Sequence, residues 1–204
     1  MIGLDKHEDG LWVVTIDRPD KANSLTREML ERLADIAEEA RAARVLVLTG
    51  NGKVFSAGMD LEAAKSGLAT DGVWERLSGA ITALPGLTIA ALNGTVAGGA
   101  IGMVLACDLR IAAPGTKVFY PVMQRGFLPQ PSDPGRLTAL IGPSRARMIL
   151  MAGPKVDTET ALGWGLVDRI TDASALLDTA RDLAADTLAA TPEHAAAIKR
   201  LCQG

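Results

Sequence analysis

The segment Asn93-Gly94-Thr95-Val96-Ala97-Gly98-Gly99-Ala100-Ile101-Gly102 places paired glycines at the head of an apolar run. Side chains this small leave the main chain bare, so its N–H groups can be aimed at an anionic ligand atom. A second small-residue turn, Phe55-Ser56-Ala57-Gly58-Met59-Asp60-Leu61, follows the apolar run Val45-Leu46-Val47-Leu48 and the turn signals Thr49-Gly50-Asn51-Gly52. If the two turns converge on one oxygen, the chemistry is done by amides aimed at an anionic ligand atom. A glycine pair taken alone serves equally well for close packing of a strand against a helix. The presence of both turns, in this order, favours the ligand reading.

Neighbouring elements must hold both turns. Residues 11–17 read as a strand rich in Val and Ile, and Ser24 as the N-cap of a helix to about residue 41, with Glu28 in its first turn. Residues 45–48, 87–92 and 109–113 are apolar runs short enough for buried strands, separated by helical patterns such as 73–84 and 100–106. Strand and helix alternate, so the expected class is α/β. Beyond Pro114 the chain turns irregular through Pro121, Pro129, Pro131 and Pro134, the composition of a loop bordering a pocket. Helical patterns resume over 135–141, 144–151 and 173–190, and Pro192 suits the first turn of a last helix ending at residue 201. The expected organisation is a single domain, with an α/β core over 1–140 and a helical part over 141–204.

The chain has 204 residues, 48% hydrophobic and 22% charged, enough for one core. A net charge of −3 with scattered Lys and Arg argues against nucleic acid as the main partner, because phosphate binding needs a basic stripe. No stretch has the roughly 18 apolar residues of a membrane span, and residues 1–6 show no basic region followed by an apolar one. Cys107 and Cys202 lack Cys-x-x-Cys spacing, and Cys107 reads as a buried thiol, so a cytoplasmic protein is expected. His7 and His194 lie in polar contexts at opposite ends, and no metal site is suggested. Neither a Gly-x-Ser-x-Gly elbow nor a Gly-x-Gly-x-x-Gly fingerprint occurs, so serine hydrolase and dinucleotide-binding readings lack their main signal.

In order along the chain, six segments resemble the crotonase, or enoyl-CoA hydratase/isomerase, superfamily. They are Arg18-Pro19-Asp20-Lys21-Ala22-Asn23-Ser24-Leu25, Phe55 to Leu61, Asn93 to Gly102 with Ala106-Cys107-Asp108, Arg125-Gly126-Phe127-Leu128-Pro129, and Ala161 to Asp168. The resemblance implies a fold of short stacked β-strands with surrounding helices. It also implies an oxyanion hole for a thioester, built from the backbone amides of Met59 and Gly99. Coenzyme A, as part of an acyl-CoA substrate rather than a resident cofactor, would lie against Lys21, Ala22, Ala57, Asp60 and Leu61. A homotrimer or dimer of trimers is implied too, although the family usually continues with helices beyond the length of this chain.

The same resemblance locates two departures. The positions where the family's hydratases carry glutamates are Gly102 and Val122. Hydration needs a base for water and an acid for the α carbon, whereas moving a double bond needs one shuttling base. Asp133, Tyr120 and Glu62 are the remaining candidates for proton transfer. Asp133 reads more readily as the N-cap before 135–141, with Pro134 at the first helical position, and Asp60 as the N-cap of a helix starting near Leu61. The expected function is therefore an acyl-CoA enzyme that stabilises a thioester enolate. Alternatives are decarboxylation or thioester hydrolysis on the same fold, and a non-catalytic acyl-CoA-binding subunit.

Overall fold

The computed structural model describes residues 1–64 and 67–203. Two sheets organise it. The larger contains β1 (Ile2–Lys6), β2 (Leu11–Ile16), β3 (Val45–Gly50), β5 (Leu87–Leu92), β7 (Leu109–Ala112) and β10 (Arg169–Ile170), in that spatial order. All pairings are parallel except β1 with β2. The smaller sheet contains β4 (Val54–Ser56), β6 (Thr95–Ala97), β8 (Lys117–Phe119) and β9 (Val156–Asp157).

The central strands read as mostly apolar runs because both faces of the large sheet are covered. Val13, Val45, Val47, Ile89 and Ala91 pack on one face against Leu176, Ala180 and Ala184 of α8 (Leu176–Ala189). Val14, Leu46, Leu48, Ala90 and Leu92, the alternate positions, face the main core. There they meet α1 (Arg27–Glu39), α3 (Val73–Thr82) and α4 (Ala100–Leu105). Each fully buried Leu or Ile contributes about 1.5–3 kcal/mol.

The small sheet positions the site. β4, β6 and β8 are parallel, so their carboxyl ends lie side by side. β4 runs on into Ala57-Gly58-Met59, β6 into Gly98-Gly99, and β8 into Tyr120. The crevice beyond the carboxyl ends of parallel strands is where ligand sites form in open sheets.

Two asparagines tie the sheets together. Asn23, wholly buried and at φ 54°, accepts from Arg18 N–H (2.8 Å) and donates to the carbonyls of Asn51 (2.9 Å) and Val54 (2.6 Å). Asn93 accepts from Gly50 N–H (3.1 Å) and donates to the Gly52 carbonyl (2.8 Å). A positive φ is tolerated at Asn23 because these bonds repay the backbone strain.

Several expected boundaries move. Thr26, not Ser24, is the N-cap of α1, accepting from Met29 N–H (3.3 Å). The Ser24 hydroxyl is taken instead by Asp60 Oδ2 (3.3 Å) and Arg18 (3.3 Å). The helical patterns over 135–141 and 144–151 fall on α6 (Asp133–Arg147), which is interrupted at Gly142 (φ 79°), and on the turn Met148–Ala152 that continues it. Beyond Ile141 the chain also supplies β9 and β10, so the part after residue 140 is not helical throughout. A short α2 (Leu61–Ala64), α5 (Val122–Arg125), α7 (Thr158–Trp164) and α9 (Pro192–Gln203) complete the architecture. No helix among the described residues is long and apolar enough to cross a membrane.

Candidate active site

Residues 22–25 run beside the turn after β4 and fix its conformation. Ala57 N–H donates to the Ala22 carbonyl (2.9 Å), Leu25 N–H to the Gly58 carbonyl (2.7 Å), and Asp60 N–H to the Leu25 carbonyl (2.9 Å). Leu25 and Met59 thereby form a parallel bridge. Extended backbone alternates the direction of its polar groups. With the Gly58 carbonyl and Asp60 N–H turned toward Leu25, the N–H of Met59 points the other way.

On that other side lies the second turn. Gly58 has φ +87°, and a Cβ there would come within 2.6 Å of the Ala97 carbonyl oxygen and 3.4 Å of Gly98 Cα. The two turns are therefore in direct contact. Gly98 N–H is used by the Phe119 carbonyl (3.1 Å), whereas among the described residues the N–H groups of Met59 and Gly99 donate to no protein acceptor. A Cβ on Gly99 would lie 3.1–3.2 Å from the Trp74 ring, so Trp74 is packed onto the amide turn. Its indole N–H is anchored on the Leu68 carbonyl (2.8 Å).

Both turns open on a cavity of about 790 Å³ lined by Ala57, Met59, Gly98, Gly99, Trp74 and Tyr120, among others. Ala22 and Leu61 line it as well, while Lys21 and Asp60 do not. Asp60 accepts from the N–H groups of Glu62 (3.0 Å) and Ala63 (3.3 Å), which makes it the cap of α2. Arg18 donates to its other oxygen (2.6 Å) and holds its carboxyl below the usual carboxylate range. Glu62 is exposed on α2 and lies outside the cavity lining.

Asp133 departs from its expected role. Ser132 is the N-cap of α6, Asp133 and Pro134 occupy its first two positions, and the Asp133 side chain turns inward with no exposed surface. Its Oδ2 accepts from the Tyr120 hydroxyl (2.9 Å), which itself accepts from Gln130 N–H (3.2 Å). Its Oδ1 has no hydrogen-bond partner. Arg136 Nη1 stands 4.0 Å away, beyond hydrogen-bonding distance. Burial pushes the Asp133 carboxyl up to about 6. Burial and the neighbouring Asp133 charge push the Tyr120 phenol far above its ordinary range.

The space for Asp133 exists because residue 102 is glycine. A Cβ at Gly102 would meet Asp133 Oδ1 at 2.8 Å. Gly102→Ala should therefore destabilise the fold by about 1–3 kcal/mol, read as a lower denaturant midpoint at unchanged m-value. An unchanged midpoint would show that the Asp133 carboxylate does not occupy this space.

The geometry adds residues that local sequence pattern does not single out. Glu75, next to Trp74 on α3, accepts from Ser132 N–H (3.1 Å) and from the Ser132 hydroxyl (2.5 Å), so it caps α6 from outside the helix. Gln130 donates its side-chain amide to the Ala69 carbonyl (3.1 Å). Trp74 braces Gly99 and borders the cavity. Val122 is buried against the cavity and offers no titratable group. Cys107 is buried, its thiol pushed up to about 12 by desolvation. Among the described residues no cluster of His, Cys, Asp or Glu is suited to hold a metal ion.

Residues 6–203 match the family model described as enoyl-CoA hydratase/isomerase. The chain belongs to the enoyl-CoA hydratase/isomerase family. It is 35% identical over 197 residues to a carnitinyl-CoA dehydratase of Citrobacter koseri, covering 92% of this chain and 75% of the relative. Over 183 residues it is 36% identical to the Bacillus subtilis putative enoyl-CoA hydratase/isomerase YngF, covering 85% of this chain and 70% of that one. Among solved structures, an enoyl-CoA hydratase from Bacillus anthracis superposes with a TM-score of 0.92 at 27% identity, covering 100% of this chain and 82% of that one. Pseudomonas aeruginosa DspI superposes with a TM-score of 0.90 at 32% identity, covering 100% and 86%. The fold is thus the α/β crotonase fold, and the chain is an acyl-CoA-binding member of an enzyme family.

Proposed function

We propose that the cavity binds an acyl-CoA thioester with its carbonyl oxygen between the N–H groups of Met59 and Gly99, and that the protein isomerises a carbon–carbon double bond. The observation that carries this reading is the pair of amides that have no protein acceptor among the described residues, on two touching turns that both open to one cavity. Each donor aimed at a developing oxyanion lowers the barrier by about 3 kcal/mol. Coenzyme A lies along Ala22, Ala57 and Leu61, which border the same cavity.

Isomerisation needs a single proton shuttle, and Tyr120 with Asp133 forms one. In this reading Tyr120, which lines the cavity, meets the substrate, and Asp133 accepts its hydroxyl from behind. The phenol is too weak an acid to lose its proton to water. It can take a proton from carbon only as it passes its own to the Asp133 carboxylate, whose affinity near pH 6 suits a base at neutral pH. Reversing both transfers returns a proton to the other end of the enolate. Hydration needs a second acid/base group on the substrate's path, and Gly102 and Val122 supply none.

A turnover panel tests this reading: 3-enoyl-CoA isomerisation, 2-enoyl-CoA hydration, malonyl-type decarboxylation and thioester hydrolysis, beside direct acyl-CoA binding. The expected result is acyl-CoA binding with interconversion of 3-enoyl and 2-enoyl thioesters and only trace hydration. Loss of CO₂ without isomerisation would replace the reading with decarboxylation, which forms the enolate without a base. Binding without any turnover would make the chain a carrier or assembly subunit.

A further inference from the structure

The cavity is one-sided in charge. Among the described residues Lys117, Arg125 and Lys155 line it and no aspartate or glutamate does; Asp157, opposite Lys117 on β9, lies outside the lining. Among the described residues none of these three cations forms an ion pair, whereas Lys6, Arg18, Arg76 and Lys199 elsewhere all do. Lys117 begins β8 on the same face as Phe119, two residues on, and Thr95 precedes Ala97 in the same way on the adjacent β6. All four residues line the cavity, so this face leads from the amide turns at the strands' carboxyl ends back toward Lys117, over about 7 Å per two residues. Lys155 joins it, with its ammonium 5.1 Å from the centroid of the Phe119 ring.

An acyl chain extending from the thioester along Ala97 and Phe119 meets two ammonium groups where a neutral alkyl chain would need an apolar end wall. Exposed ammonium groups offer a hydrocarbon end no apolar contact. A carboxylate at that distance instead accepts charge-assisted hydrogen bonds from them. We propose that Lys117 and Lys155, within the field of Arg125, bind a carboxylate at the far end of the acyl group, and that the site prefers thioesters of dicarboxylic acids. This rests on the thioester reading of the cavity. The phosphates of coenzyme A offer the same chemistry, and the test separates the two.

Affinities for glutaryl-CoA, pentanoyl-CoA and free coenzyme A would be measured by calorimetry for the wild type and for Lys117→Gln/Lys155→Gln. Both lysines are exposed, and circular dichroism checks the variant's fold. The wild type should bind glutaryl-CoA about tenfold tighter than pentanoyl-CoA at low salt, with the ratio shrinking as salt is added. In the double variant the ratio should fall to about one. Equal wild-type affinities for the two thioesters overturn the inference and leave the thioester reading standing. So does a variant that weakens all three ligands by one common factor, which would assign the cations to the phosphates. Wild-type protein that binds neither thioester overturns the thioester reading, and the inference with it.

Discussion

Gly58→Ala should lower kcat on a 3-enoyl-CoA substrate by about 10²–10³-fold with a smaller change in KM. Two constraints coincide at this residue. Its φ of +87° is one that an L side chain rarely adopts, and the added Cβ would lie 2.6 Å from the Ala97 carbonyl oxygen. Neither contacting group is a flexible side-chain end. The turn after β4 must therefore back away from the turn after β6, or the peptide must rotate out of its left-handed conformation. Either response moves the N–H of Met59 relative to that of Gly99, and displacements near 1 Å at a reacting centre cost about 10²-fold.

Strain alone would cost stability, so the effect on rate needs a comparison. Gly115→Ala provides one, because Gly115 has a similar φ of +78° with nothing within 4 Å of the added Cβ and lies outside the cavity lining. Gly115→Ala should lose about 1–2 kcal/mol of stability from its backbone conformation alone, and Gly58→Ala at least as much. Only Gly58→Ala should lose turnover. A Gly58→Ala enzyme with kcat within threefold of the wild type would remove the amide pair from the mechanism.

Much of this site is readable in the sequence, and what is not has a physical reason. The runs at 45–48 and 87–92 announce buried parallel strands because both sheet faces are covered, and Thr88, the one polar residue in them, is held by the Asp108 carboxylate. Gly142 separates two helical patterns and does break α6. The three-residue strands β4, β6 and β8 are too short to establish an alternation, yet their parallel ends bring the two amide turns and Tyr120 together. The N-terminal strand β1 is an antiparallel edge whose core-facing residues, Ile2 and Leu4, are too few to announce a strand.

Caps failed where tertiary structure competes for the same side chain. Ser24 and Thr26 are equally good capping residues by type, and only the contact of Ser24 with Asp60 and Arg18, distant in sequence, decides between them. Ser132, Asp133 and Pro134 present the same ambiguity. A local pattern assigns Asp133 to the helix end. What turns it inward is the space left by Gly102, 31 positions earlier in the chain, and the hydroxyl of the chain's one tyrosine. The glycine at 102 and the buried aspartate at 133 are thus two sides of one arrangement, which no local pattern records.

Asp133→Asn is expected to stabilise the protein and slow its turnover. The Asp133 carboxyl is raised from 3.8 to about 6 because the folded protein buries it. Below the unfolded value both states carry the proton, and the group costs nothing. As pH rises through about 6 the folded state must either keep a proton the unfolded chain has lost or bury a charge, so stability falls across pH 4 to 6 and stays lower above it. The difference amounts to about 3 kcal/mol at neutral pH. An asparagine carries no charge and can still accept the Tyr120 hydroxyl, so at pH 7 to 8 the variant should melt higher, with the gain vanishing near pH 4. Its kcat should nevertheless fall by about 10²–10⁴-fold, because an amide cannot take the phenol's proton. Wild-type kcat/KM should rise with pH through about 6 to a plateau, and the residual rate of the variant should lose that step. Tyr120→Phe should reduce kcat by a similar factor. Since the two groups act as one relay, Tyr120→Phe/Asp133→Asn should be no slower than either single variant. Full multiplication of the two losses, or an Asp133→Asn enzyme that gains stability while keeping its rate, would place the proton transfer on some other group.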